Sequence, residues 1–339
     1  MDLMEEGNVS CGVKNCSTPG FQGNCSNQDC QEEETMSVLI LIVCVTVIVV
    51  PLIIFGLLGN TLTLLVVWLR PHMRSSAYLY LSSMAVSDLL FLLLLALDLY
   101  KLWTGWKLGV FVCKLTVFLS KCCTFCTILH ITFLSLERYL LVCWPITSKT
   151  LVTRRRTRAL IGCLWLGAAV SAAPVLVMME VKRVEELDHM GKEVEKEVCR
   201  LSECSFSSGL LSAMMIIYNL YVLVTLCILG LVYILIGRTL RLRPQSSRKD
   251  KSHGHTVKML GVIFLAFVLC WLPYIVRLTM SYVSQRSGHN STDFSFYLFS
   301  GILSRLSAAI NPLVYHLMSA RYRHAVRSLV HTHCLTPSH

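Results

Sequence analysis

Seven long stretches of almost unbroken apolar residues constrain this chain more than any other feature of its sequence. An α-helix crosses the hydrocarbon core of a bilayer, about 30 Å thick, with roughly 20 apolar residues. Each stretch is close to this length, and none alternates in the way of a strand from a membrane barrel. The stretches are Ser37–Trp68, Leu79–Leu97, Leu115–Leu136, Ala159–Met179, Leu210–Ile236, Met259–Val276 and Phe294–Leu317.

The composition agrees with a chain that is solvated mainly by lipid. Hydrophobic residues make up 54% of the 339 residues and charged residues only 15%, unlike the composition of soluble domains. We therefore predict an all-α membrane protein. Residues 1–36 form an extracellular tail, residues 37–318 a bundle of seven transmembrane helices, and residues 319–339 a short amphipathic helix with a cytoplasmic tail.

The distribution of basic residues predicts the orientation of the chain. A net charge of +11 would suit nucleic acid, but the basic residues gather in alternate linkers, between Arg70 and Arg74, Lys149 and Arg158, and Arg238 and Lys258. Linkers rich in Lys and Arg stay in the cytoplasm. The sequence thus predicts a multi-pass protein of the plasma membrane with its N-terminus outside, in contact with lipid and not with nucleic acid. Because the first thirty-odd residues are polar, no cleavable signal peptide is predicted.

The segments predicted to lie outside carry modification and disulfide signals. Glycosylation sequons occur at Asn8, Asn15, Asn24 and Asn290. The tail cysteines Cys11, Cys16, Cys25 and Cys30 permit two disulfides in any of three pairings, with an unstructured tail as the alternative. Cys113, at the outer start of the third span, has Cys199 and Cys204 as possible partners, and we prefer Cys199.

Polar residues inside the spans predict a functional core. A charge in the middle of a membrane helix costs roughly 2.5–3.5 kcal/mol on insertion scales, so Asp88 must face the bundle and find partners. Asn60 and Asn311 lie at similar depth and can supply hydrogen bonds. With Thr127, these residues form a predicted polar core that suits a sodium ion, and a packing role is the alternative. No other metal and no cofactor is predicted.

The inner half of the chain carries signals for movement and anchoring. Glu137-Arg138-Tyr139 closes the third span, where the acid and the arginine can pair and release. Pro273 interrupts the hydrogen bonding of the sixth span and is expected to kink it. Ser319–Val330 interleaves apolar and basic residues, which indicates an amphipathic helix on the inner leaflet. Cys334 beyond it is a candidate for palmitoylation, with a free thiol as the alternative.

Taken in order, these elements resemble the rhodopsin-like G-protein-coupled receptors from about Met36 to Leu329. The resemblance implies that an agonist near the outer helix ends shifts Trp271 and Phe267, that the sixth helix swings outward, and that Arg138 leaves its acid to engage a G protein. Pro273, Tyr315 and Tyr233 are the other implied switch residues. The matching motifs are Gly59-Asn60, Asp88, Glu137-Arg138-Tyr139, Trp165, Cys270-Trp271-Leu272-Pro273 and Asn311-Pro312-Leu313-Val314-Tyr315.

Shorter segments look most like the family of motilin and ghrelin receptors. We expect the motilin side to be nearer, on the segments Asp98–Trp103 and Leu151–Ile161. The resemblance implies a peptide-hormone agonist, Gq-type G proteins, phospholipase C, calcium release and arrestin. The alternatives are a ghrelin-type receptor with altered ligand preference and a peptide-binding receptor that does not signal. The segments are Asp98–Trp103, Leu129–Thr132, Leu151–Arg156, Ile236–Arg238 and His255–Leu260.

The chain departs from this family mainly around the predicted ligand pocket. Lys121 stands where the relatives have a glutamate, and Arg277-Leu278 replaces their Gly-Arg pair. Arg305 replaces a tyrosine, Thr225 a proline of the fifth span and Ala96 a proline of the second. The predicted ligand-binding residues are Asp98, Lys121, Tyr274, Arg277 and Arg305. Their net positive charge favours a ligand with an acidic group, unless Asp98 neutralises one of the bases by pairing with it.

Other functions find little support in the sequence. An enzyme would need a nucleophile paired with a base, or ligands at metal-binding spacing, whereas His130 stands alone on the third span. A transporter would need inverted repeats or broken helices. We therefore predict a receptor and not an enzyme.

Overall fold

The computed structural model describes residues 27–70, 75–187, 193–242, 248–287, 294–318 and 320–334. These residues form eleven α-helices and one two-stranded sheet. The predicted glycosylation sequons and the cysteines Cys11, Cys16 and Cys25 lie outside the described residues. The helices are α1 (Asn27–Leu69), α2 (Ser76–Thr104), α3 (Gly109–Cys143), α4 (Pro145–Leu151), α5 (Arg154–Ala172), α6 (Val175–Met178), α7 (Glu203–Ser207), α8 (Leu210–Leu242), α9 (Arg248–Ser287), α10 (Phe294–Met318) and α11 (Ala320–Cys334), and the strands are β1 (Met179–Leu187) and β2 (Glu193–Leu201).

Seven long helices pack into the predicted bundle. Within the described residues, six helices are long and apolar enough to cross a membrane. The seventh, α10, has 25 residues and packs against α9, α1 and α2, so that it closes the ring. The third helix, α3, contacts α2, α5, α8 and α9 and lies at the centre. The six apolar spans are Leu39–Leu69, Ser76–Thr104, Gly109–Cys143, Arg154–Met178, Leu210–Leu242 and Phe264–Ser284.

The helices run further than the apolar stretches that predicted them. The first begins at Asn27 instead of Ser37, and the sixth spans Arg248–Ser287. Hydropathy marks the part of a helix that meets lipid, whereas backbone hydrogen bonding continues past the headgroups. The predicted fourth span is instead divided, since α5 ends at Ala172 and α6 starts after Pro174, which lacks a backbone N–H.

A β-hairpin between α6 and α7 covers part of the outer face, and the sequence had not predicted it. β1 and β2 pair antiparallel with Met179 opposite Leu201. A disulfide between Cys113 and Cys199 joins the hairpin to the outer end of α3, which confirms the preferred pairing, and Cys204 keeps an exposed free thiol. A hydrogen bond from Lys182 lowers the pKa of the exposed Glu203, so this contact is strongest at neutral pH.

The C-terminal helix α11 packs against the inner end of α1. Tyr322 and Leu329 are buried in one cluster with Val66 of α1. The hydroxyl of Thr63 donates to the carbonyl of Gly59 at 2.9 Å, and its oxygen therefore accepts from the Tyr322 hydroxyl at 3.0 Å. This confirms the predicted amphipathic helix, which extends four residues past Val330 to Cys334.

Glycines allow α1 to approach its neighbours closely. A Cβ atom on Gly59 would lie 2.8 Å from the ring of Pro312 in α10, and one on Gly56 would lie 2.6 Å from the side chain of Leu92 in α2. Small residues at such contacts are typical of membrane helices, because close backbone approach supplies the packing energy that lipid does not. The side-chain amide of Asn60 uses this proximity to donate to the Ala308 carbonyl at 3.0 Å.

We predict that Gly59→Ala lowers the thermal unfolding temperature of the detergent-solubilised chain. The added methyl group would collide with the rigid Pro312 ring, and overpacking of this kind costs about 1–3 kcal/mol. Gly162→Ala is the matched control, since a Cβ at Gly162 meets no atom within 4 Å and alanine is the better helix former. Equal unfolding temperatures for the two variants would contradict this packing.

Candidate functional site

A cavity in the outer half of the bundle brings all five predicted ligand-binding residues together. Asp98 of α2, Lys121 of α3, Tyr274 and Arg277 of α9, and Arg305 of α10 line it. Lys121 lies a little over two helical turns inward from the disulfide at the start of α3, about 12 Å along the axis. The volume is about 110 Å³, which is room for a single side chain and not for a whole peptide. That these residues bind a ligand stays a prediction.

Lys121 is held by aromatic groups. Its ammonium group donates a hydrogen bond to the hydroxyl of Tyr274 at 3.2 Å. The same nitrogen lies 5.8 Å from the ring centroid of Tyr218 and 5.6 Å from that of Tyr274, a distance at which the negative ring faces attract a cation. Within the part of the chain that the structure describes, no carboxylate pairs with this ammonium. The charge therefore enters the cavity stabilised by neutral groups.

Arg277 packs against an aromatic ring, and Arg305 occupies space that a glycine leaves open. The guanidinium carbon of Arg277 lies 4.9 Å from the ring centroid of Tyr274, and only 6% of the residue is exposed. Tyr274 thus contacts both Lys121 and Arg277. One helical turn before Arg305, Gly301 gives its guanidinium room, since a Cβ atom at Gly301 would lie 3.0 Å from Nη1.

The rest of the cavity wall is largely apolar. On the side that faces the cytoplasm, the wall is formed by side chains of the bundle core. Trp271 lines the cavity, is 4% exposed, and meets Tyr274 in a T-shaped contact with 6.0 Å between ring centroids. Phe267, one turn further inward on α9, is also buried. A group that enters the cavity would therefore press on side chains of α9. The apolar wall consists of Val45, Phe91, Leu94, Leu95, Val117 and Ile302.

The predicted polar core contains a direct contact between α2 and α10. The amide of Asn311 donates to the buried carboxylate of Asp88 at 2.9 Å. Asn60 does not donate to Asp88 as expected from the sequence, because its amide binds the backbone carbonyls of Gly56 and Ala308. Thr127 of α3 is buried as well.

The residues of this core fit a small hard cation. Carboxylate, amide and hydroxyl oxygens are the ligands that such ions prefer. Within the described part of the chain, no donor reaches the buried Oδ1 atom of Asn60, which leaves an acceptor for an ion or a water molecule. The residues that would hold sodium are therefore Asp88, Asn60 and Thr127, with Asn311 orienting the carboxylate.

At the inner end of α3, Glu137 is held by Arg138 of its own helix and by Ser76 of α2. Arg138 lies 3.8 Å from its Oε1 atom, and Ser76 of α2 donates to its Oε2 atom at 2.6 Å. Because the Ser76 proton is used there, the hydroxyl of Thr157 on α5 donates to Ser76 at 2.8 Å. The carboxylate of Glu137 is thus held on both of its sides. The third residue of the motif, Tyr139, accepts a hydrogen bond from Trp144 at 3.3 Å.

The predicted switch residues are spread along the inner half of the bundle. Pro273 lies inside α9, which is helical on both sides of it. The ring of Tyr233 on α8 lies against Gly261 of α9, where a Cβ atom would be 3.1 Å away. Tyr315 lies one turn beyond Asn311, in the last part of α10.

Several contacts of the site were missed by the sequence reasoning. Ser76 and Thr157 are short polar residues outside any motif, so nothing in the sequence indicated that they lie near Glu137. Thr132 donates to its own helix at 2.8 Å and accepts from Thr225 at 3.1 Å, which joins α3 to α8. The substitution of a proline by Thr225 was a usable signal, since a hydroxyl in lipid needs a partner.

Known proteins resemble this chain over most of its length. The model of the 7 transmembrane receptor (rhodopsin family) matches residues 59–315. The growth hormone secretagogue receptor type 1 of Sus scrofa is 41% identical over 86% of this chain and 81% of its own length, and that of Homo sapiens is 40% identical with the same coverage. The motilin receptor of Homo sapiens is 34% identical over 85% of this chain and 81% of its own length.

These identities correct one expectation from the sequence. Motilin receptors were expected to be the nearer relatives, but the secretagogue receptors are more similar to this chain. The expectation was wrong because it rested on a few short segments, which contribute little to the identity over 301 aligned residues. The assignment to a receptor class, in contrast, is confirmed. The chain belongs to the rhodopsin family of seven-transmembrane, G-protein-coupled receptors, in the group of the ghrelin (growth hormone secretagogue) and motilin receptors.

Proposed function

We propose that this chain is a ghrelin-type peptide-hormone receptor with an altered ligand preference, which signals mainly through Gq-type G proteins, phospholipase C and calcium, and which binds arrestin. The observation that carries the proposal is that Trp271 lines the outer cavity and belongs to α9, the helix that also contacts α3 and α8 and meets Tyr233 of α8 at Gly261, in its inner half. One continuous helix therefore links the place where a ligand would bind to the place where a G protein would bind.

The outer step is a displacement of α9 by the ligand. A peptide end inserted among the cavity residues would contact Tyr274 and Trp271, which touch each other. Pro273 lies between these two residues and removes one backbone hydrogen bond, so α9 can bend there at low cost. Small shifts of this kind change the preferred packing of whole helices, because a packed bundle has discrete arrangements.

The inner step is the release of Arg138. In the resting arrangement Glu137 is held by Arg138, Ser76 and the hydroxyl of Thr157 behind Ser76. Outward movement of α9 would open the inner face and let Arg138 exchange this acid for the G protein. Tyr233 of α8, whose ring lies against Gly261 of α9, would lose that support and turn into the bundle.

The contact between Asp88 and Asn311 would oppose this movement. A sodium ion, if bound by these residues, would supply a positive charge beside the Asp88 carboxylate. Asp88 and Asn311 then hold α2 and α10 in their resting relation through the 2.9 Å hydrogen bond. Any rearrangement that separates these two residues leaves a buried carboxylate with fewer donors, which is unfavourable.

The ghrelin side of the group is preferred over the motilin side because of the higher identity to the secretagogue receptors. The altered preference follows from the cavity, where Lys121 and Arg277 stand in place of the relatives' glutamate and glycine. A receptor that binds peptide without signalling is the second candidate. The Thr132–Thr225 hydrogen bond favours it, since it adds a link between α3 and α8.

Calcium release is measured in cells that express this chain after addition of ghrelin, motilin or buffer alone. We expect that in at least one of these three conditions the calcium signal exceeds that of cells expressing an Arg138→Ala variant. That variant removes the residue proposed to engage the G protein, and matched surface expression excludes a folding defect. Silence in all three conditions at equal surface expression would reject the signalling receptor and favour the second candidate.

We also predict that Ser76→Ala raises signalling in the absence of any peptide. A hydrogen bond to a charged group contributes about 1.5–3 kcal/mol, so its loss should shift the population about tenfold or more toward the released state. The readout is inositol phosphate accumulation without agonist. Ser82→Ala is the matched control, because Ser82 lies on the same helix and donates to the carbonyl of Leu79 in its own turn. Equal basal signals in both variants would contradict the role of Ser76.

A further inference from the structure

Hydrogen bonds join the outer halves of α8 and α9 at two levels. Nearest the outer surface, the hydroxyl groups of Ser212 and Tyr282 bind each other. Further inward, Asn219 donates to the hydroxyl of Thr279 at 3.3 Å, and this hydroxyl donates back to the Oδ1 atom of Asn219, also at 3.3 Å. We call these four residues the outer clamp. Its two levels are about 10 Å apart along α8, because Asn219 lies two helical turns beyond Ser212.

The amide of Asn219 is fixed in the orientation that this pairing needs. Its Nδ2 atom carries two protons, of which one binds the carbonyl of Met215 in the same helix at 2.9 Å and the other binds the hydroxyl of Thr279. The Oδ1 atom is left to accept the proton of Thr279. Separating the two side chains inside lipid, where water is absent, would leave these groups without partners, which is unfavourable.

Helix α8 is itself fastened to the rest of the bundle. Because the proton of Ser171 on α5 goes to the carbonyl of Gly167, the hydroxyl of Tyr221 donates to Ser171 at 2.7 Å. Thr225 is bound to Thr132 of α3 at 3.1 Å. The outer clamp thus joins the outer half of α9 to a helix that two other neighbours hold in place.

The inner half of α9 is joined to α8 differently, as far as its described side chains show. There the ring of Tyr233 packs on Gly261, whereas the hydrogen bonds between α8 and α9 lie on the outer side of Pro273. Thr279 follows Pro273 by less than two helical turns, about 9 Å. The helix is therefore held by hydrogen bonds on one side of the proline, where it bends most easily, and by packing on the other.

We propose that the outer clamp keeps the outer halves of α8 and α9 together during activation, so that α9 bends at Pro273 instead of pivoting as a rigid rod. The inference rests on the proposed function, in which a ligand displaces α9. A pivoting rod would have to open the clamp, whereas a bending helix keeps it closed. Because Trp271 lies on the inner side of Pro273, a ligand that presses on it moves the inner half while the clamp holds the outer half.

The first test measures hydrogen exchange of backbone amides by mass spectrometry, on the purified full-length chain in lipid nanodiscs without ligand or G protein. Thr279→Val removes both hydrogen bonds of the inner level and keeps the shape of the side chain. We expect exchange in residues 274–287 of α9 to rise about three- to tenfold, because interhelical hydrogen bonds in membranes contribute free energies of this size and exchange reports local opening. Exchange in residues 261–272 of the same helix should not change.

Thr104→Val is the matched control, because the hydroxyl of Thr104 at the outer end of α2 donates only to carbonyls of its own segment, those of Tyr100 and Gly105. It should leave the exchange of α9 unchanged. Asn219→Leu breaks the same pair from α8, so this variant and the double variant should show the same increase as Thr279→Val. If the unfolding temperature shows that one single variant is misfolded, the other decides the result.

The second test measures the direction in which the outer clamp acts on signalling. Inositol phosphate accumulation, in buffer and with ghrelin as the probe, is compared between Thr279→Val and the unaltered chain at equal surface expression, with Arg138→Ala as the baseline. A loosened clamp lets the outer half of α9 yield, so less of the displacement reaches the inner half. We therefore expect the signal above the baseline to fall about threefold or more.

Each outcome supports or overturns the proposal. Exchange that does not change, or that rises equally on both sides of Pro273, would overturn it. A higher signal from Thr279→Val would overturn it as well, since the clamp would then open on activation. Absence of any signal from the unaltered chain would count against the proposed function, and the exchange measurement, which involves no G protein, would then decide on the clamp alone.

Discussion

Lipid offers no hydrogen bonds and no counter-charge, and most of this structure follows from that constraint. A charged side chain that enters the bundle is therefore costly unless groups within the protein stabilise it. Asp88 is satisfied by Asn311, Glu137 by Ser76, and Lys121 by Tyr274. Each of these contacts joins two helices that are far apart in sequence. The polar residues therefore determine which helices are neighbours and at what depth they meet.

The three contacts lie at different depths, and their order gives the molecule its direction. The outermost, at Lys121, borders a cavity that is open to a ligand. The middle one, at Asp88, lies among buried side chains, and the innermost, at Glu137, lies where α3 leaves the membrane. Under the proposed mechanism, a rearrangement at one depth would change the position of α9 or α10 at the next, because a packed bundle has discrete arrangements.

Features that depend on one segment of the chain could be predicted from the sequence, whereas contacts between residues that are far apart in the sequence could not. Apolar length predicted seven spans, and motifs predicted Asp88 and Arg138, since lipid makes each buried charge conspicuous. The cavity residues were predicted mainly from the positions at which this chain departs from the receptors that it resembles. The β-hairpin was missed because its strands mix charged and apolar residues without a regular period. Ser76 was missed because its partner is distant in sequence, and a short hydroxyl residue carries no signal by itself.

The outer hairpin is joined firmly to the neighbouring helix ends. Its second strand is bonded covalently to α3 at Cys199, and the backbone N–H of Trp106, between α2 and α3, donates to the carbonyl of Glu197 at 3.2 Å. The hairpin and the α2–α3 corner therefore form one wall of the outer face, and neither the disulfide nor this hydrogen bond involves α9 or α10. A ligand that enters between this wall and α9 would therefore displace α9 more readily than the wall, which the disulfide holds to α3.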